Sequence, residues 1–482
     1  MNFDWTYIIH LGILSAALLV ASLIRAKVRF FQKFLIPNAL TAGFLLLVFY
    51  NYIGPALNLK TDFLGELVYH LLNISFIAMT LRKSIKAPKA VRKRIFPTSV
   101  GILSQYAVQC VFGLLITFVL ISTVMPDLFP AIGFALPLGF VLGPGQAYAI
   151  GSGWEEFGFI GAGSTGLTFA AIGFLFGCFG GVFMINWGLR RGWVSEEEIE
   201  KIRQKGVRSG ILPRGSKHPR GSNQTTETEA IDSMTFNAAF VFGTYLLSFG
   251  LLTLLTYLLS LIGDLGRELA VNLWGINFIF SAMTAMLVKS VMQRLKFHYV
   301  LDTGTLNRIS GLSVDLMVTA SIAAISLVVV GQYWLPILIL CTVGGLMAYF
   351  TLPWICSRMF VDHQFHRALV IYGASTGTMP TGLALLRVID PEFETPVASD
   401  YMYASGITFL FAIPLILSIN LPAYSVSRDN PMLFWLAVLV SIGYLIFVTI
   451  SFFIISRRRS LAQVKHIWFR PERHRERETQ GK

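Results

Sequence analysis

Apolar residues occur along this chain in long unbroken runs, and polar residues are concentrated in the segments between them. The hydrocarbon core of a bilayer is about 30 Å thick, so a helix needs about 20 apolar residues to cross it. The pattern therefore predicts an all-α polytopic membrane protein. The runs that predict crossings are Trp5–Ile24, Phe34–Ile53, Leu64–Leu81, Thr98–Val124, Gly163–Leu189, Phe236–Ile262, Leu269–Met292, Gly311–Gly331, Leu335–Ile355, Tyr401–Tyr424 and Met432–Ile455.

Two further apolar stretches, Ala131–Gly153 and Ala368–Ile389, are interrupted by glycine and proline. Proline removes a backbone donor and glycine weakens a helix, so neither stretch is expected to cross as one continuous helix. Non-helical backbone persists at membrane depth only where protein buries it or a polar cavity adjoins it. The interruptions therefore predict two re-entrant hairpins, over residues 131–157 and 368–398.

Basic residues predict the orientation, because Lys and Arg accumulate in short loops on the cytoplasmic side. The basic segments are Arg25–Lys33, Arg82–Arg94, the linker from Arg190, Lys289–Lys296, Arg358–Arg367 and the tail from Arg457. The alternate loops carry few basic residues, so the N-terminus is predicted outside and the C-terminus inside. This orientation requires each interrupted stretch to return to the side from which it entered.

Both halves of the chain then have the same order of elements in opposite orientations. The first repeat spans residues 1–189 and the second spans residues 235–424, each with five transmembrane helices and one hairpin. Residues 190–234 form a cytoplasmic linker, predicted to be disordered over 206–228, and residues 425–482 add one helix and a basic tail. Inverted repeats are the basis of many transporter folds, so a secondary transporter of a bacterial-type cytoplasmic membrane is predicted.

Composition limits the other classes of function. The formal net charge is +13, but the basic residues follow the predicted topology, so we expect no nucleic-acid partner. No catalytic motif or transition-metal spacing occurs, so neither an enzyme nor a cofactor is predicted. The cysteines fall in or beside apolar runs and are expected to be packing residues; they are Cys110, Cys178, Cys341 and Cys356.

The interrupted stretches are the predicted binding site for a small anion and for sodium. Released amides and the ends of half-helices direct partial charges at such ligands, and hydroxyl groups can coordinate sodium. The predicted substrate-binding residues are Gly143, Gly145, Gln146, Ser375, Thr376, Gly377, Thr378, Thr381 and Arg387. The predicted ion-binding residues are Ser375, Thr378, Thr381 and Asp315.

Two of these residues have a second interpretation. Asp315 lies close to the cytoplasmic end of its apolar run, where it could pair with Arg308 instead of binding a coupling ion. Arg387 could pair with a substrate carboxylate or mark the cytoplasmic rim of the second hairpin. The sequence leaves both alternatives open.

Several short motifs resemble those of the sodium/glutamate symporter family. Phe34–Pro37, followed by Thr41–Gly43, is similar to the second-helix motif of that family. Gly143–Ala147 falls where the family carries a Gly-Gly-His-Gly-Thr-like loop, and Gly377–Thr381 resembles its Gly-Ala-Thr-Pro-Thr segment. The resemblance extends from about residue 30 to residue 424.

This resemblance implies sodium as the coupling ion, glutamate or a related small carboxylate as the substrate, elevator-like movement and a homodimer in the lipid bilayer. The chain departs from the family at Pro144 and Gln146 in the first hairpin and at Leu385 and Arg387 in the second. Changed polar groups alter which buried partners are satisfied, and hence the substrate. The alternatives are a proton-coupled or exchange carrier for another organic anion, and a channel or sensor.

Overall fold

The computed structural model describes residues 5–34, 36–83, 89–194, 221–227, 229–261, 263, 273–390, 395–457 and 468–469. Every regular element in these residues is a helix. Nine of the described helices are long and apolar enough to cross a membrane. At this level the predicted all-α membrane protein is confirmed.

The described residues of the N-terminal part contain nine α-helices. They are α1 (Thr6–Lys27), α2 (Arg29–Lys33), α3 (Asn38–Val48), α4 (Asp62–Leu81), α5 (Lys89–Thr123), α6 (Ile132–Pro137), α7 (Pro144–Glu155), α8 (Ala162–Leu175) and α9 (Gly181–Arg191). Short π-helical turns extend α3 over Phe49–Ile53 and α6 over Leu138–Leu142. A third π turn, Phe176–Gly180, joins α8 to α9, so these form one long apolar helix with a widened centre.

The C-terminal part continues with ten helices in the described residues. They are α10 (Ser233–Ser260), α11 (Asn277–Arg294), α12 (Thr303–Ala323), α13 (Leu327–Gln332), α14 (Trp334–Met359), α15 (Gln364–Thr376), α16 (Met379–Ile389), α17 (Val397–Ser418), α18 (Leu421–Ser427) and α19 (Pro431–Ser456). The limbs α15 and α16 occupy residues 364–389, so this segment begins four residues before the predicted hairpin 368–398.

The helices pack in two groups. In the first, α4 and α12 pack against each other and against α3 and α11, with α1 and α10 outside them. Polar pairs join α4 to its neighbours: the Ser75 and Ser310 hydroxyls lie 3.1 Å apart, and Ser281 donates to Asn73 Oδ1 at 2.8 Å. In the second group α5 contacts α6, α14, α15, α17 and α19. Helices α7 and α8 connect the groups, because both contact α12.

The crossing predicted over Gly311–Gly331 has different boundaries in the structure. Helix α12 begins eight residues earlier and ends at Ala323. Asp302 fixes this start by accepting hydrogen bonds from the Thr305 backbone N–H at 2.7 Å and the Thr305 hydroxyl at 2.8 Å. The first turns are polar, so hydropathy alone did not reveal them. Asp315 therefore lies in the middle of its helix, and its predicted place near the helix end was wrong.

The segment Arg358–Arg367, predicted as a basic cytoplasmic loop, is mostly helical. Helix α14 continues through Arg358, and Arg367 lies at the start of α15. The Arg367 side chain is 1% exposed and its Nη2 donates to Asp400 Oδ2 at 2.8 Å. Its charge therefore belongs to a buried ion pair and is not a solvated loop charge.

Part of the linker predicted to be disordered is held against the start of α12. Within residues 221–227, the Asn223 backbone N–H donates to Asp302 Oδ2 at 3.2 Å and the Thr225 hydroxyl donates to the Val300 carbonyl at 2.6 Å. Burial opposes ionisation of Asp302, but hydrogen bonds from Thr305, Gly304 and Asn223 outweigh it and keep its pKa below the ordinary value. The rest of the predicted disordered segment lies outside the described residues.

We expect Asp302→Ala to weaken α12 by about 1 kcal/mol and to expose residues 221–227. Hydrogen exchange followed by mass spectrometry should show faster exchange there, whereas Asp232→Ala, which removes the equivalent cap of α10, should leave those amides unchanged. Because the folded pKa of Asp302 is lowered, its contribution is complete above the ordinary aspartate pKa and is lost as the pH falls through the folded value. Unchanged protection in Asp302→Ala would contradict this docking.

Candidate functional site

Hairpin 1 consists of α6 with its π turn and α7. Gly143 joins the two limbs with φ of +100°, a conformation that favours glycine, and Pro144 begins the second limb. Phe129, before the hairpin, stacks on Phe159, after it, with ring centroids 5.0 Å apart. The chain therefore leaves hairpin 1 at the same end of the bundle at which it enters.

Hairpin 2 consists of α15 and α16, with Gly377 and Thr378 between them. Its limbs touch through backbone, because a Cβ placed on Gly373 would lie 2.7 Å from Gly382 Cα. The ion pair between Arg367 and Asp400 joins the start of α15 to the first turn of α17. The entrance and exit of hairpin 2 therefore also lie together.

Helix α5 extends from the entrance of hairpin 2 to the entrance of hairpin 1. Near its N-terminal end, Arg94 Nε donates to Asp400 Oδ2 at 2.7 Å, beside the entrance of hairpin 2. Its C-terminal end, Thr123, leads to the entrance of hairpin 1. The 30 residues from Arg94 to Thr123 span about 45 Å as a helix. The hairpins therefore enter from opposite ends of α5.

The tips of the hairpins meet. A Cβ placed on Gly143 would lie 3.3 Å from Thr378 Cγ2 and 3.9 Å from the Gly377 carbonyl oxygen. The Thr378 and Thr381 hydroxyls lie 3.4 Å apart at the same point. The structure thus brings together predicted residues of both hairpins that are more than 200 positions apart in the sequence.

Both N-terminal and C-terminal ends of helices lie at the point where the hairpin tips meet. Helices α7 and α16 begin there, and in the described residues no side chain caps either N-terminus. Free N–H groups and the positive end of the helix dipole favour an anion at such a position. Helix α15 ends there, so its last carbonyl groups present the negative end that suits a cation. One small volume therefore offers partial charges for a carboxylate and for sodium.

Gln109 is a further residue of the site that the sequence analysis missed. It lies near the middle of the α5 segment between Arg94 and Thr123, is completely buried, and donates from Nε2 to the Ser375 carbonyl at 3.4 Å. Within the described residues, neither Gln109 Oε1 nor the Ser375 hydroxyl has a hydrogen-bond partner. A buried polar atom without a partner costs about 1–3 kcal/mol, which a bound cation would offset. The signal in the sequence is an amide side chain inside an apolar run, which carries no charge to mark it.

The long helix α8–α9 forms the wall behind hairpin 2. A Cβ on Gly177, in its central π turn, would lie 3.1 Å from both Thr376 Oγ1 and Thr381 Cγ2. π-helical turns inside α-helices often occur at functional sites. The Thr376 hydroxyl donates to the Tyr372 carbonyl at 2.8 Å, so its proton is used within α15. Gly177 therefore allows the wall to approach both hydroxyl-bearing residues.

The remaining predicted residues differ in their distance from the tips. Gly145 and Gln146 lie in the first turn of α7, where both are buried. Arg387 is exposed near the far end of α16, about 13 Å along the helix from Thr378. Asp315 is an exposed residue of α12, two positions before Met317, whose Sδ lies 2.9 Å from a Cβ placed on Gly145. The structure does not bring Arg387 to the tips.

Comparisons with protein-family models, curated proteins and solved structures give no match to this chain. The resemblance noted in the sequence therefore stays a prediction. The chemistry of the candidate site depends on its own geometry. The main features are two helix N-termini without a side-chain cap, and the oxygens of Gln109 and Ser375 without a partner, among the residues that the structure describes.

Proposed function

We propose that this protein is a secondary transporter, a sodium-coupled symporter of glutamate or a related small carboxylate. One observation carries the proposal: two interrupted helices meet at their tips beside Gln109. Helix ends of both polarities lie there, with buried oxygens that have no hydrogen-bond partner in the described part of the chain. A carboxylate fits the N-termini of α7 and α16. Sodium fits the oxygens of Gln109, Ser375 and the end of α15.

The proposed architecture is a pair of inverted repeats of five crossings and a hairpin. Contacts between helices support it. When each helix is replaced by its counterpart in the other repeat, a contact present in the structure becomes a second contact that is also present. Helix α12 contacts α3 as α4 contacts α11, and α5 contacts α6 as α14 contacts α15. Hairpins that enter from opposite ends of α5 agree with the same relation.

The proposed movement displaces the group containing α5 and the hairpins against the group containing α4 and α12. The two groups touch closely at glycines of α7 and α4. A Cβ on Gly145 of α7 would lie 2.7 Å from Leu72 Cδ1 of α4 and 2.9 Å from Met317 Sδ of α12. Gly65 of α4 likewise receives the Tyr148 ring of α7. The glycines therefore allow side chains of one group to approach the backbone of the other where the two groups touch.

Asp315 supports a second candidate, proton-coupled transport or exchange of another organic anion. It lies in the middle of α12, and within the described residues no basic side chain forms an ion pair with it. Ionisable residues at membrane depth commonly mark ion or proton pathways. Sodium coupling remains the first proposal, because the hairpin tips supply neutral oxygen ligands.

Uptake into proteoliposomes tests the function directly. Labelled glutamate, aspartate and related acids should accumulate under an inward sodium gradient and not under an equal potassium gradient. Uptake driven by a proton gradient alone would favour the second candidate. Absence of uptake for every acid under either gradient would contradict both candidates.

We expect Ser375→Ala and Thr381→Ala each to raise the sodium concentration for half-maximal uptake about 10-fold, because each removes an oxygen ligand. The matched control is Ser405→Ala, since the Ser405 hydroxyl is exposed and bonds within α17. Sodium titration of uptake in proteoliposomes measures the effect. Sodium affinity equal to that of Ser405→Ala would exclude hairpin 2 from the ion site.

A further inference from the structure

A groove of about 800 Å³ lies outside the hairpin tips, between the long helix α8–α9 and α14. Its apolar lining includes exposed or half-buried side chains that face the surroundings of the bundle. They are Leu175, Phe176, Phe179, Phe183, Leu346 and Phe350. Residues 175–190 of one wall span about 22 Å as a helix, which exceeds the roughly 15 Å thickness of one hydrocarbon leaflet. The groove is therefore long enough for an acyl chain.

The groove has a polar end. Asn186 and Arg190 line it on the last turns of α9. Lys33 of α2, whose ammonium lies 5.7 Å from the centroid of the Phe34 ring, adds a second cation to the lining from another element. Within the described residues, no acidic side chain forms an ion pair with Arg190 or Lys33. Both belong to segments that the charge pattern assigns to the cytoplasmic side. An unneutralised pair of cations that lines an apolar channel complements an amphiphile with an anionic head.

An aromatic residue from the C-terminal segment packs against three residues that line the groove. The Trp468 ring lies 4.6 Å from the ring of Trp187 and 6.1 Å and 6.2 Å from those of Tyr349 and Phe350. All three partners line the groove. Deeper in the groove, the Tyr372 hydroxyl donates to the Phe176 carbonyl at 2.8 Å and so needs no bond from a ligand. The lining therefore favours a ligand that is apolar along its length and carries a negative charge at one end.

We propose that this groove binds one anionic phospholipid. Its phosphate lies between Lys33 and Arg190, and an acyl chain lies along Phe183, Phe179 and Leu175. This site is separate from the hairpin tips, so the proposal does not depend on which solute the protein carries. A zwitterionic lipid offers the same chains but carries a choline cation that the two basic residues repel.

Native mass spectrometry of the delipidated full-length protein tests the site by titration with dipalmitoyl phosphatidylglycerol or dipalmitoyl phosphatidylcholine. The first phosphatidylglycerol should bind about 25-fold more tightly than the first phosphatidylcholine, since each basic residue near an anionic head contributes about 5-fold. Equal affinity of the two lipids for the unaltered protein would overturn the proposal without any variant.

The variant Lys33→Gln with Arg190→Gln should lose this preference. Both side chains are exposed, so the substitutions leave the core unchanged. The matched control is Lys27→Gln with Arg191→Gln, which removes the same charge from the same two segments but lies outside the groove lining. The control should keep the preference. Equal loss in both double variants would show attraction by overall charge and would overturn the assigned site.

Discussion

Asp400→Asn should destabilise the protein by about 3–5 kcal/mol, one of the two largest effects that the structure predicts. The Asp400 carboxylate is completely buried and accepts from Arg94 Nε at 2.7 Å and from Arg367 Nη2 at 2.8 Å. It therefore joins α5, α15 and α17. The neutral amide would remove the negative charge that compensates the buried Arg367 guanidinium, and an uncompensated buried charge is costly.

Asp362→Asn is the matched control for this ion pair. Asp362 lies 3.3 Å from Arg367 Nη2 and 3.8 Å from Arg94 Nη1, but its side chain is 41% exposed. A solvated partner contributes about 0–1 kcal/mol, so the change should be small. Unfolding of the purified variants in detergent, followed by circular dichroism, measures both effects. Equal stability of the two variants would exclude Asp400 as the centre of the network.

Gly382→Ala should reduce uptake about 100-fold, the second large effect. A Cβ at this position would overlap the carbonyl oxygen of Val370 and lie 3.2 Å from the backbone nitrogen of Ala374, so the limbs of hairpin 2 must separate. Separation would shift Thr378 and Thr381 relative to Gly143. A displacement of about 1 Å at a binding site commonly changes rates about 100-fold. Uptake into proteoliposomes, normalised to reconstituted protein, measures the effect.

Gly406→Ala is the control, because a Cβ placed on Gly406 of α17 has open space around it. It should retain uptake, since alanine favours a helix interior more than glycine does. If Gly382→Ala also retained uptake, the close contact of the two limbs would be irrelevant to transport.

The sequence predicted the membrane class and the interrupted stretches because both follow from local chemistry. Apolar runs must be buried in lipid, and the glycines and prolines around Gly143 and Gly377 interrupt a helix in any surroundings. The structure places these interruptions in contact. The contact itself could not be read from the sequence, because nothing local indicates which limbs face each other.

The residues that the sequence analysis missed or misplaced depend on distant partners. Arg367 was predicted to be a basic loop residue, because its acceptor, Asp400, is 33 positions away in the sequence. Gln109 is uncharged, so no charge marked it within its apolar run. Its role in the candidate site depends on its hydrogen bond to the neighbouring Ser375. Asp315 was misplaced along its helix because Asp302 and Thr305 extend α12 beyond the apolar run. Tertiary contacts, not local hydropathy, decide each of these positions.

The proposal that the hairpin tips form one binding site is tested most directly by protection of a thiol placed there. Thr378→Cys is partly exposed, and the native thiols of Cys110, Cys178, Cys341 and Cys356 are buried, so a small methanethiosulfonate reagent should label the tip selectively. Gly153→Cys, in open space near the far end of α7, is the control. Sodium together with the acid identified by uptake should slow labelling of Thr378→Cys at least about 5-fold and leave Gly153→Cys unchanged. Equal labelling of Thr378→Cys with and without these ligands would contradict a binding site at the tips.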